Sequence, residues 1–555
     1  MDDVTWPVPG PGTWMQDRAH LPVSTTLLLQ EAFPGGFDVG FRSTFERYGA
    51  LFDTMQQAFV NGFPFMQPLP FDAPGPDGPK TPEQLGAEIG RRAQVSAAAF
   101  ENKVWREQLR HWDEVKKPAA IARHREMAAV DLAALDDEAL RQELHARIAR
   151  VSEMMGQHHE HNGSALVPVG NFVLHAAQWT GMPPVPMFIV FDGWSPVTSV
   201  VPPELEAGVT ALRADAEALE LLHGDGSDAD VVAALRSRIP AIDDWLAGVS
   251  FRIAAGFDLT NPTIGERPDL IRGRLRSAVE HEQENSLARA EEMADQLRAA
   301  VPAEHRDEFE SLLTEARLVY RLRDERGIYS DSAATGLLRL ALIELGRRMA
   351  ERGRINFMYD TLDVTSAEID SLLTGGAAPT ADELSARVAR RKALSAAGAP
   401  PFLGDPPQPP PPMDGLPPSI IRVMSALGFT IQGVLGEAEA PAGDEQMIIG
   451  IGGSSGTYEG PARLVRNFDD LWHVQEGDVL VTPATGESFN AFLHLVGAIV
   501  TDHGSFASHA AIMGREMGFP TVVGSVNATS RIPAGAIVRV DGEAGSVTIV
   551  SVPEE

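Results

Sequence analysis

Residues 498–525 restrict the possible folds more than any other segment of the chain. Residues 498–501 form a short apolar run rich in β-branched side chains, which is typical of a buried strand. A polar turn follows, Ser508 is a favourable helix N-cap, and Gly518 is a favourable residue for ending the helix. A second apolar run comes soon after that glycine. The pattern predicts a strand-turn-helix-strand unit in which His509 is the first residue of the helix.

The predicted position of His509 suits phosphoryl transfer. A helix N-terminus offers free backbone N–H groups and a positive dipole end, which bind phosphate and keep a nearby imidazole neutral and nucleophilic. Ser508 and Thr501 are candidate hydroxyl partners for the phosphoryl oxygens, and Gly504 lets a bulky donor approach the loop. Arg515 is a poor candidate, because it lies about 240° around the helix from His509. The alternative is a histidine that caps an ordinary βαβ unit.

The sequence GSFASHAAIMGREMGFPTVVG, at residues 504–524, carries a family resemblance. It resembles the phosphohistidine swivelling domain shared by pyruvate phosphate dikinase, phosphoenolpyruvate synthase, rifampicin phosphotransferase and phenylphosphate synthase. Ser505 and Ala507 depart from the family pattern, and His509 matches it. The resemblance spans about residues 448–551. It implies that His509 is the phosphohistidine nucleophile of a small β/α domain.

Composition narrows the function classes. The chain has 555 residues, a formal net charge of −31 and no cysteine. An acidic surface repels nucleic acid and anionic membranes, so we expect neither as a partner. The first ten residues are unlike a signal peptide, and no apolar run approaches the roughly 20 residues of a spanning helix. These features predict a cytoplasmic protein, and any phosphate site must be a local basic pocket.

Residues 1–80 are dense in proline and glycine and predict an irregular lid or docking segment. Trp14, Asp17, His20 and Pro22 resemble a W-x-x-D-x-x-H-x-P pattern of the substrate-binding region in rifampicin phosphotransferase and phenylphosphate synthase. The tryptophans favour aromatic anchoring of a loop. For His20 two interpretations stay open, which are a buried polar clasp and a residue that lines the acceptor site.

Residues 81–155 have helical periodicity, and the last helix is predicted to end at Asn162. His158 and His161 then share a face of its final turn. The spacing does not match a metal-binding pair, so no metal site is predicted. One interpretation is that both rings interact favourably with the helix C-terminal dipole. The other places one of them beside the acceptor as a general base.

Arg323 and Arg326 lie on an apolar helix in the stretch LRDERGIYSD. A comparable R-E-x-x-K stretch of the rifampicin-type enzymes supplies cations near the transferred phosphate, although here the second cation comes one residue earlier and is an arginine. Phosphoryl transfer needs such cations to spread the transition-state charge. The alternative is salt bridging along the helix surface.

The chain is predicted to be multidomain. Residues 1–395 form a large, mostly α-helical domain that binds the acceptor, and residues 448–555 form the small β/α swivelling domain. Residues 396–447 form a proline-rich hinge, because a dense run of prolines adopts semi-rigid polyproline II.

The sequence contains no P-loop and no ATP-grasp-like region, so it resembles the histidine-bearing subunit of a split enzyme such as phenylphosphate synthase. The resemblance implies a separate ATP-grasp subunit, which binds ATP and Mg²⁺ and phosphorylates His509. The acceptor is then a small aromatic alcohol or phenol, and the products are the aryl phosphate, AMP and phosphate. Two alternatives remain, namely a rifampicin-type antibiotic phosphotransferase and a phosphocarrier or regulatory protein.

Overall fold

The computed structural model describes the chain apart from residues 1–3, 19, 22, 76–77, 200, 255, 281–285, 395–397, 410, 436–445, 467, 487–488, 491, 507 and 554–555. Pro22 and Ala507 of the motifs above therefore lie outside the described residues. Within these ranges, a large helical region is followed by a domain built on a β-sheet, as the sequence predicted. None of the described helices is both long and apolar enough to cross a bilayer.

The helical domain takes up the described residues as far as Leu435. Short 3₁₀ turns and one π-helical turn, Trp112–Lys116, join its helices. The α-helices are α1 (Leu27–Tyr48), α2 (Pro82–Glu101), α3 (Val104–His111), α4 (Lys117–Ala128), α5 (Asp137–Glu160), α6 (Asn162–Thr180), α7 (Glu206–Ala214), α8 (Ala216–His223), α9 (Asp228–Arg238), α10 (Pro240–Val249), α11 (Pro268–Glu280), α12 (Ser286–Ala300), α13 (Arg306–Tyr320), α14 (Leu322–Tyr329), α15 (Asp331–Glu351), α16 (Ser366–Leu373), α17 (Ala381–Ala393) and α18 (Pro418–Leu435).

The prediction of an irregular segment over residues 1–80 is wrong. This segment contains α1, a helix of 22 residues, and the strands β1 (Thr13–Gln16), β2 (Phe52–Val60) and β3 (Phe63–Pro70). The glycines that looked like helix breakers serve packing, because a Cβ on Gly36 or Gly40 would collide with the backbone of α5. Trp14 is buried against Phe63 and Phe65, so the predicted aromatic anchoring is confirmed.

The predicted hinge over residues 396–447 is largely part of the helical domain, which corrects its position. Strand β4 (Phe402–Gly404) pairs antiparallel with β1 at the edge of a described four-stranded sheet of order β2-β3-β1-β4. Helix α18 packs on α6 and α2, and its residues Ile420, Val423 and Ala426 are fully buried. The chain between the two domains is therefore confined to residues 436–446.

The C-terminal domain, Met447–Ser551, is built on one sheet. Its described strands are β5 (Met447–Ile449), β6 (Ile451–Ser454), β7 (Thr457–Leu464), β8 (Asp478–Thr482), β9 (Val496–Thr501), β10 (Thr521–Val523), β11 (Ile537–Asp541) and β12 (Ser546–Ser551), in the order β5-β12-β11-β7-β8-β9-β10-β6. Strands β7, β8, β9 and β10 are parallel neighbours. The described helices are α19 (Phe468–Leu471), α20 (His509–Met517) and α21 (Ala528–Arg531).

The two domains share a hydrophobic core. Ala254 and Leu270 of the helical domain pack in one cluster with Leu471, Phe492 and other side chains of the C-terminal domain. The guanidinium of Arg267 lies over the Trp472 ring, 4.0 Å from its centroid. The C-terminal domain is therefore docked on the helical domain, and α20 lies close to this interface.

Candidate active site

Helix α20 places His509 at the mouth of a parallel βαβ unit. It begins at His509 and ends before Gly518, which adopts the left-handed conformation with φ of 77°. Strands β9 and β10 on either side of it are hydrogen-bonded in parallel. Buried Ala510, Ala511 and Met513 fix the inner face of α20 against the sheet. The strand-turn-helix-strand prediction is confirmed.

The His509 ring is held by two uncharged partners. Its Nδ1 lies 2.9 Å from Thr485 Oγ1 and its Nε2 lies 2.9 Å from Asn490 Oδ1. With the proton on Nε2, the ring donates to Asn490 and accepts from the Thr485 hydroxyl, so both contacts suit a neutral imidazole. Burial lowers the pKa of His509 to about 3, and the positive charge of Arg323 acts in the same direction. The ring is therefore neutral at physiological pH.

The two predicted hydroxyl partners, Ser508 and Thr501, have different surroundings in the loop before α20. Ser508 occupies the N-cap position with extended backbone, but its side chain makes no capping bond, and its buried Oγ has no hydrogen-bond partner among the described residues. Thr501 is fully buried and donates to the backbone oxygen of His503. In this arrangement Thr501 fixes the loop and does not face a phosphoryl group. Gly504 has φ of 111°, and a Cβ there would press on Ser508.

Arg515 contacts the helical domain, whereas the sequence predicted only that it lies about 240° around α20 from His509. Its Nε lies 3.1 Å from both carboxylate oxygens of Asp192, and both side chains are buried. Two further bonds join its Nη1 to the backbone oxygens of Gly453 and Phe506. The next residue, Glu516, accepts from the backbone N–H of Gly193. The far end of α20 therefore carries the polar contacts that dock the two domains.

Arg323 and Arg326 lie one turn apart on α14, in the helical domain. Arg323 pairs with Asp324 and donates to the Tyr320 hydroxyl at 2.9 Å. Arg326 donates from Nε to the backbone oxygen of Arg323. The charge of Arg323 acts on His509, so α14 lies within electrostatic range of the nucleophile in the docked arrangement. Of the two predicted cations, Arg323 is thus the one whose charge acts on His509.

Arg326 acts in turn on a buried polar cluster. His158 Nδ1, at the end of α5, lies 2.8 Å from Asp331 Oδ1, at the start of α15. His20 is bonded to Asp17 and its charge also acts on this pair. Burial lowers the pKa of His158 well below its usual value and raises the pKa of Asp331 to about 7. The charges of His20 and Arg326 therefore act on the hydrogen-bonded pair of His158 and Asp331.

The grouping of His158 with His161 is wrong. His161 ends α5, donates from Nδ1 to the Gln157 backbone oxygen at 2.9 Å, and packs edge-on against Trp112. Helix α5 ends close to the predicted position, and helix α6 starts directly after His161 at Asn162. The ring beside His158 is instead His159, with centroids 4.6 Å apart. His161 therefore supports the junction of α5 and α6.

Aromatic side chains border the polar cluster. His159 stacks on Phe41 at 4.6 Å and meets Phe37 edge-on at 4.6 Å, and both phenylalanines come from α1. His20 meets Phe257 edge-on at 6.1 Å. The cluster thus combines titratable groups with flat apolar surfaces.

Sequence reasoning did not find Thr485, Asn490, His159 or Asp331. The first two lie 24 and 19 residues before His509 in a loop without periodicity. Asp331 lies 173 residues after its partner His158. The sequence feature that pointed to this cluster was the set of three histidines within residues 158–161. Their spacing paired His158 with His161, whereas the neighbouring ring is that of His159.

Comparisons with known proteins agree with this geometry. Residues 474–545 match the family described as PEP-utilising enzyme, mobile domain. The chain contains a PEP-utilising enzyme mobile domain. Its helix α20, including His509, lies within the matched residues. Residues 176–324 of the helical domain match the family described as rifampicin phosphotransferase fourth domain, and this range includes Arg323.

Curated relatives of the chain are larger proteins. A rifampicin phosphotransferase from Streptomyces sviceus is 26% identical over 324 residues, which cover 56% of this chain and 34% of that protein. Chondramide synthase from Chondromyces crocatus is 29% identical over 57% of this chain and 8% of its own length. Phosphoenolpyruvate synthase from Pyrococcus furiosus is 40% identical over 111 residues, or 20% of this chain and 14% of that protein. The matched parts thus span no more than 34% of any of these three relatives.

Proposed function

We propose that this chain is a phosphotransferase component in which His509 carries a phosphoryl group to an acceptor hydroxyl. The group comes from an ATP-grasp nucleotide-binding subunit, and the acceptor is a small aromatic alcohol or phenol bound by the helical domain. The products are the aryl phosphate, AMP and phosphate. The chain therefore acts as the second half of an ATP-dependent dikinase-type enzyme.

One observation carries the proposal, namely a neutral imidazole at a helix N-terminus that lies within electrostatic range of an arginine of the other domain. Burial and Arg323 keep His509 unprotonated. The unpartnered Oγ of Ser508 and the free N–H groups of the first turn of α20 can bind phosphoryl oxygens. Arg323 adds the positive charge that a phosphoryl transition state requires. Nucleophile, anion-binding groups and cation thus come from two domains that can separate.

The acceptor site is assigned to the cluster of His20, His158, Arg326 and Asp331. Phe37, Phe41 and Phe257 border it with aromatic surface, which suits an aryl acceptor.

ATP and Mg²⁺ are assigned to the partner subunit. Among the described residues, no group of three or more His, Cys, Asp or Glu side chains is arranged to hold a metal ion. Its own residues supply the neutral ring, the phosphate-binding N–H groups and the arginine beside the transferred group.

A rifampicin-type antibiotic phosphotransferase is the second candidate. The fourth-domain match over residues 176–324 and the relative from Streptomyces sviceus favour it. Such an enzyme needs a pocket large enough for a macrocycle, and domain opening would have to create it. A phosphocarrier without an acceptor site is less well supported, because it gives the cluster around Asp331 no role.

The test separates phosphohistidine formation from acceptor choice. The small donor phosphoramidate should phosphorylate the intact chain without a partner, and the phosphate should be acid-labile, base-stable and located on His509. Phenol should then discharge it as phenyl phosphate, which ³¹P NMR detects. With ATP as the donor, the chain alone should be inactive until an ATP-grasp subunit is added. Discharge by rifampicin but not by phenol would establish the second candidate, and turnover of ATP by the chain alone would exclude the partner subunit.

A further inference from the structure

Transfer to an acceptor hydroxyl requires a group that accepts the hydroxyl proton. A neutral hydroxyl that attacks phosphorus must lose its proton during transfer, and an enzyme usually provides a base for it. The base must lie on the acceptor side of the phosphoryl group, because the His509 ring becomes the leaving group. The helical domain should therefore contain a neutral, partly accessible base near α14.

His158 has the required surroundings. Its Nδ1 is bonded to Asp331 at 2.8 Å, which fixes the plane of the ring. No hydrogen bond to its Nε2 is found within the described part of the chain, and 13% of the side chain remains exposed. A histidine held by a carboxylate through one nitrogen is oriented to use the other.

Asp331 is arranged to stabilise the protonated form of His158. Only its Oδ1 is bonded to the ring, while Oδ2 is buried without a hydrogen-bond partner among the described residues. The carboxyl is 1% exposed, at the first residue of α15. When the imidazole takes up a proton, the buried carboxylate forms an ion pair with the imidazolium. This pairing offsets the free-energy cost of burying the negative charge.

Helix α14 links this pair to the nucleophile. Arg323 acts on His509, and Arg326 acts on His158 and Asp331. The two arginines are three residues apart, which is about 4.5 Å along a helix axis at 1.5 Å per residue. On this assignment the acceptor hydroxyl binds along this turn, where the charges of Arg323 and Arg326 reach His509 and His158 respectively.

We infer that His158 is the general base for the acceptor hydroxyl and that Asp331 is its positioning residue, an inference that rests on the proposed function. The acceptor O–H proton moves to His158 Nε2, while the acceptor oxygen forms the new P–O bond. The P–N bond to His509 breaks, and its electron pair stays on the His509 ring. The imidazolium of His158 is paired with the Asp331 carboxylate until the product leaves.

Burial supports the starting state. It lowers the pKa of His158 well below its usual value, so the ring is neutral before transfer. It also raises the pKa of Asp331 to about 7, so this carboxyl group is mostly ionised at pH 8. The charged or titratable groups that act on His158 are Asp331 from α15, Arg326 from α14, His20 from the segment before α1, and His159 and His161 from the end of α5. Of these, Asp331 is hydrogen-bonded to the ring and stabilises its protonated form, whereas the positive charge of Arg326 disfavours that protonated form.

The experiment compares two phenols of similar shape. Phenol is neutral near pH 8 and must lose a proton, whereas 4-nitrophenol is already ionised and needs no base. The chain is phosphorylated on His509 with phosphoramidate and discharged to each phenol. His158→Asn keeps a donor near Asp331 and removes Nε2, so discharge to phenol should slow by about 100-fold. Discharge to 4-nitrophenol should change by less than about threefold, because no proton moves in that transfer.

Two further variants test the roles separately. Asp331→Asn should slow discharge to phenol by roughly tenfold without affecting 4-nitrophenol, and Asp331→Glu should recover part of the rate. The matched control is His145, on the same helix α5, which pairs with Asp370 at 2.7 Å and is 38% exposed. His145→Asn should leave both rates unchanged. His158→Gln serves as a second substitution if His158→Asn unfolds.

The outcomes are distinguishable. Equal slowing of both phenols by the folded His158 variants, or no slowing, overturns the assignment of the base and leaves the phosphohistidine function standing. Failure of phosphoramidate to modify His509 in the native chain, or of either phenol to discharge it, overturns the proposed function and the base together. Slowing that is confined to phenol supports both.

Discussion

His509 and His158 are both buried imidazoles with lowered pKa values, yet their partners differ in charge. Thr485 and Asn490 hold His509 through a hydroxyl and an amide. Asp331 holds His158 through a carboxyl group. Neutral partners do not favour imidazolium, so the first ring keeps its lone pair for phosphorus. A carboxylate favours imidazolium, so the second ring is suited to take a proton. The choice of partner thus separates a nucleophile from a base.

The largest loss of activity is expected when His509 itself is replaced. His509→Ala removes the only proposed carrier of the phosphoryl group, so acid-labile phosphate and aryl phosphate formation should both be abolished. The protein should remain folded, because the inner face of α20 is formed by Ala510, Ala511 and Met513. Phosphoramidate labelling and near-UV circular dichroism measure the two properties. His503→Ala, in the same loop, is the matched control, and appreciable labelling of the His509 variant would disprove the phosphohistidine.

The next prediction exchanges a neutral partner for a charged one. Asn490→Asp places a carboxylate beside His509 and raises the pKa of the ring, so the nucleophile becomes protonated as pH falls through the new value. Phosphorylation of this variant should be roughly tenfold slower at pH 5.5 than at pH 8. The native ring has a pKa of about 3 and should show no loss of nucleophile over this range.

Phosphoramidate labelling rates at several pH values test this prediction. Thr485→Val, which removes a hydrogen bond without adding charge, is the control and should keep the native pH dependence. An Asn490→Asp profile as flat as that of the native chain would show that the partner does not determine the state of the ring.

How much the sequence could predict differs between these two histidines. His509, the N-cap position of Ser508 and the end of the helix at Gly518 follow from local rules, because neighbours in the chain determine them. The partners of His158 depend on helices that are far apart in sequence, so periodicity gave His161 in place of His159 and Asp331.

The helices α1 and α18 show the same limit at the level of the fold. Gly36 and Gly40 lower helix propensity, but tight packing on α5 requires them. Helix α18 follows a proline-rich stretch, so the sequence predicts a linker there, although its buried Val423 and Ala426 pack between helices. Tertiary contacts, which a single sequence does not display, decide both cases.

An effect of similar size is expected at the interface between the two domains. Asp192→Asn leaves Arg515 buried without a charge partner in the docked state, which costs free energy. Transfer from phosphorylated His509 to phenol should slow by roughly tenfold, while phosphoramidate labelling should be unchanged. Glu459→Gln is the control, since its ion pair with Arg539 is exposed. Equal slowing of labelling and transfer would show that Asp192 acts on the ring and not on docking.

The smallest effect is expected in the proline-rich stretch, where the sequence alone suggested a hinge. Strand β4, before it, is paired with β1, and α18, after it, is buried at Ile420 and Val423. Both ends are therefore fixed to the helical domain, and the stiffness of the stretch does not set the reach of His509. Replacing the prolines of residues 406–412 by serine keeps the length and removes the polyproline stiffness. Labelling and transfer should each change by less than about twofold, because the ends of this loop stay closed. Slower transfer with unchanged labelling would instead show that the proline-rich stretch acts as the hinge. Helix α18 would then have to leave the helical domain when His509 moves between donor and acceptor.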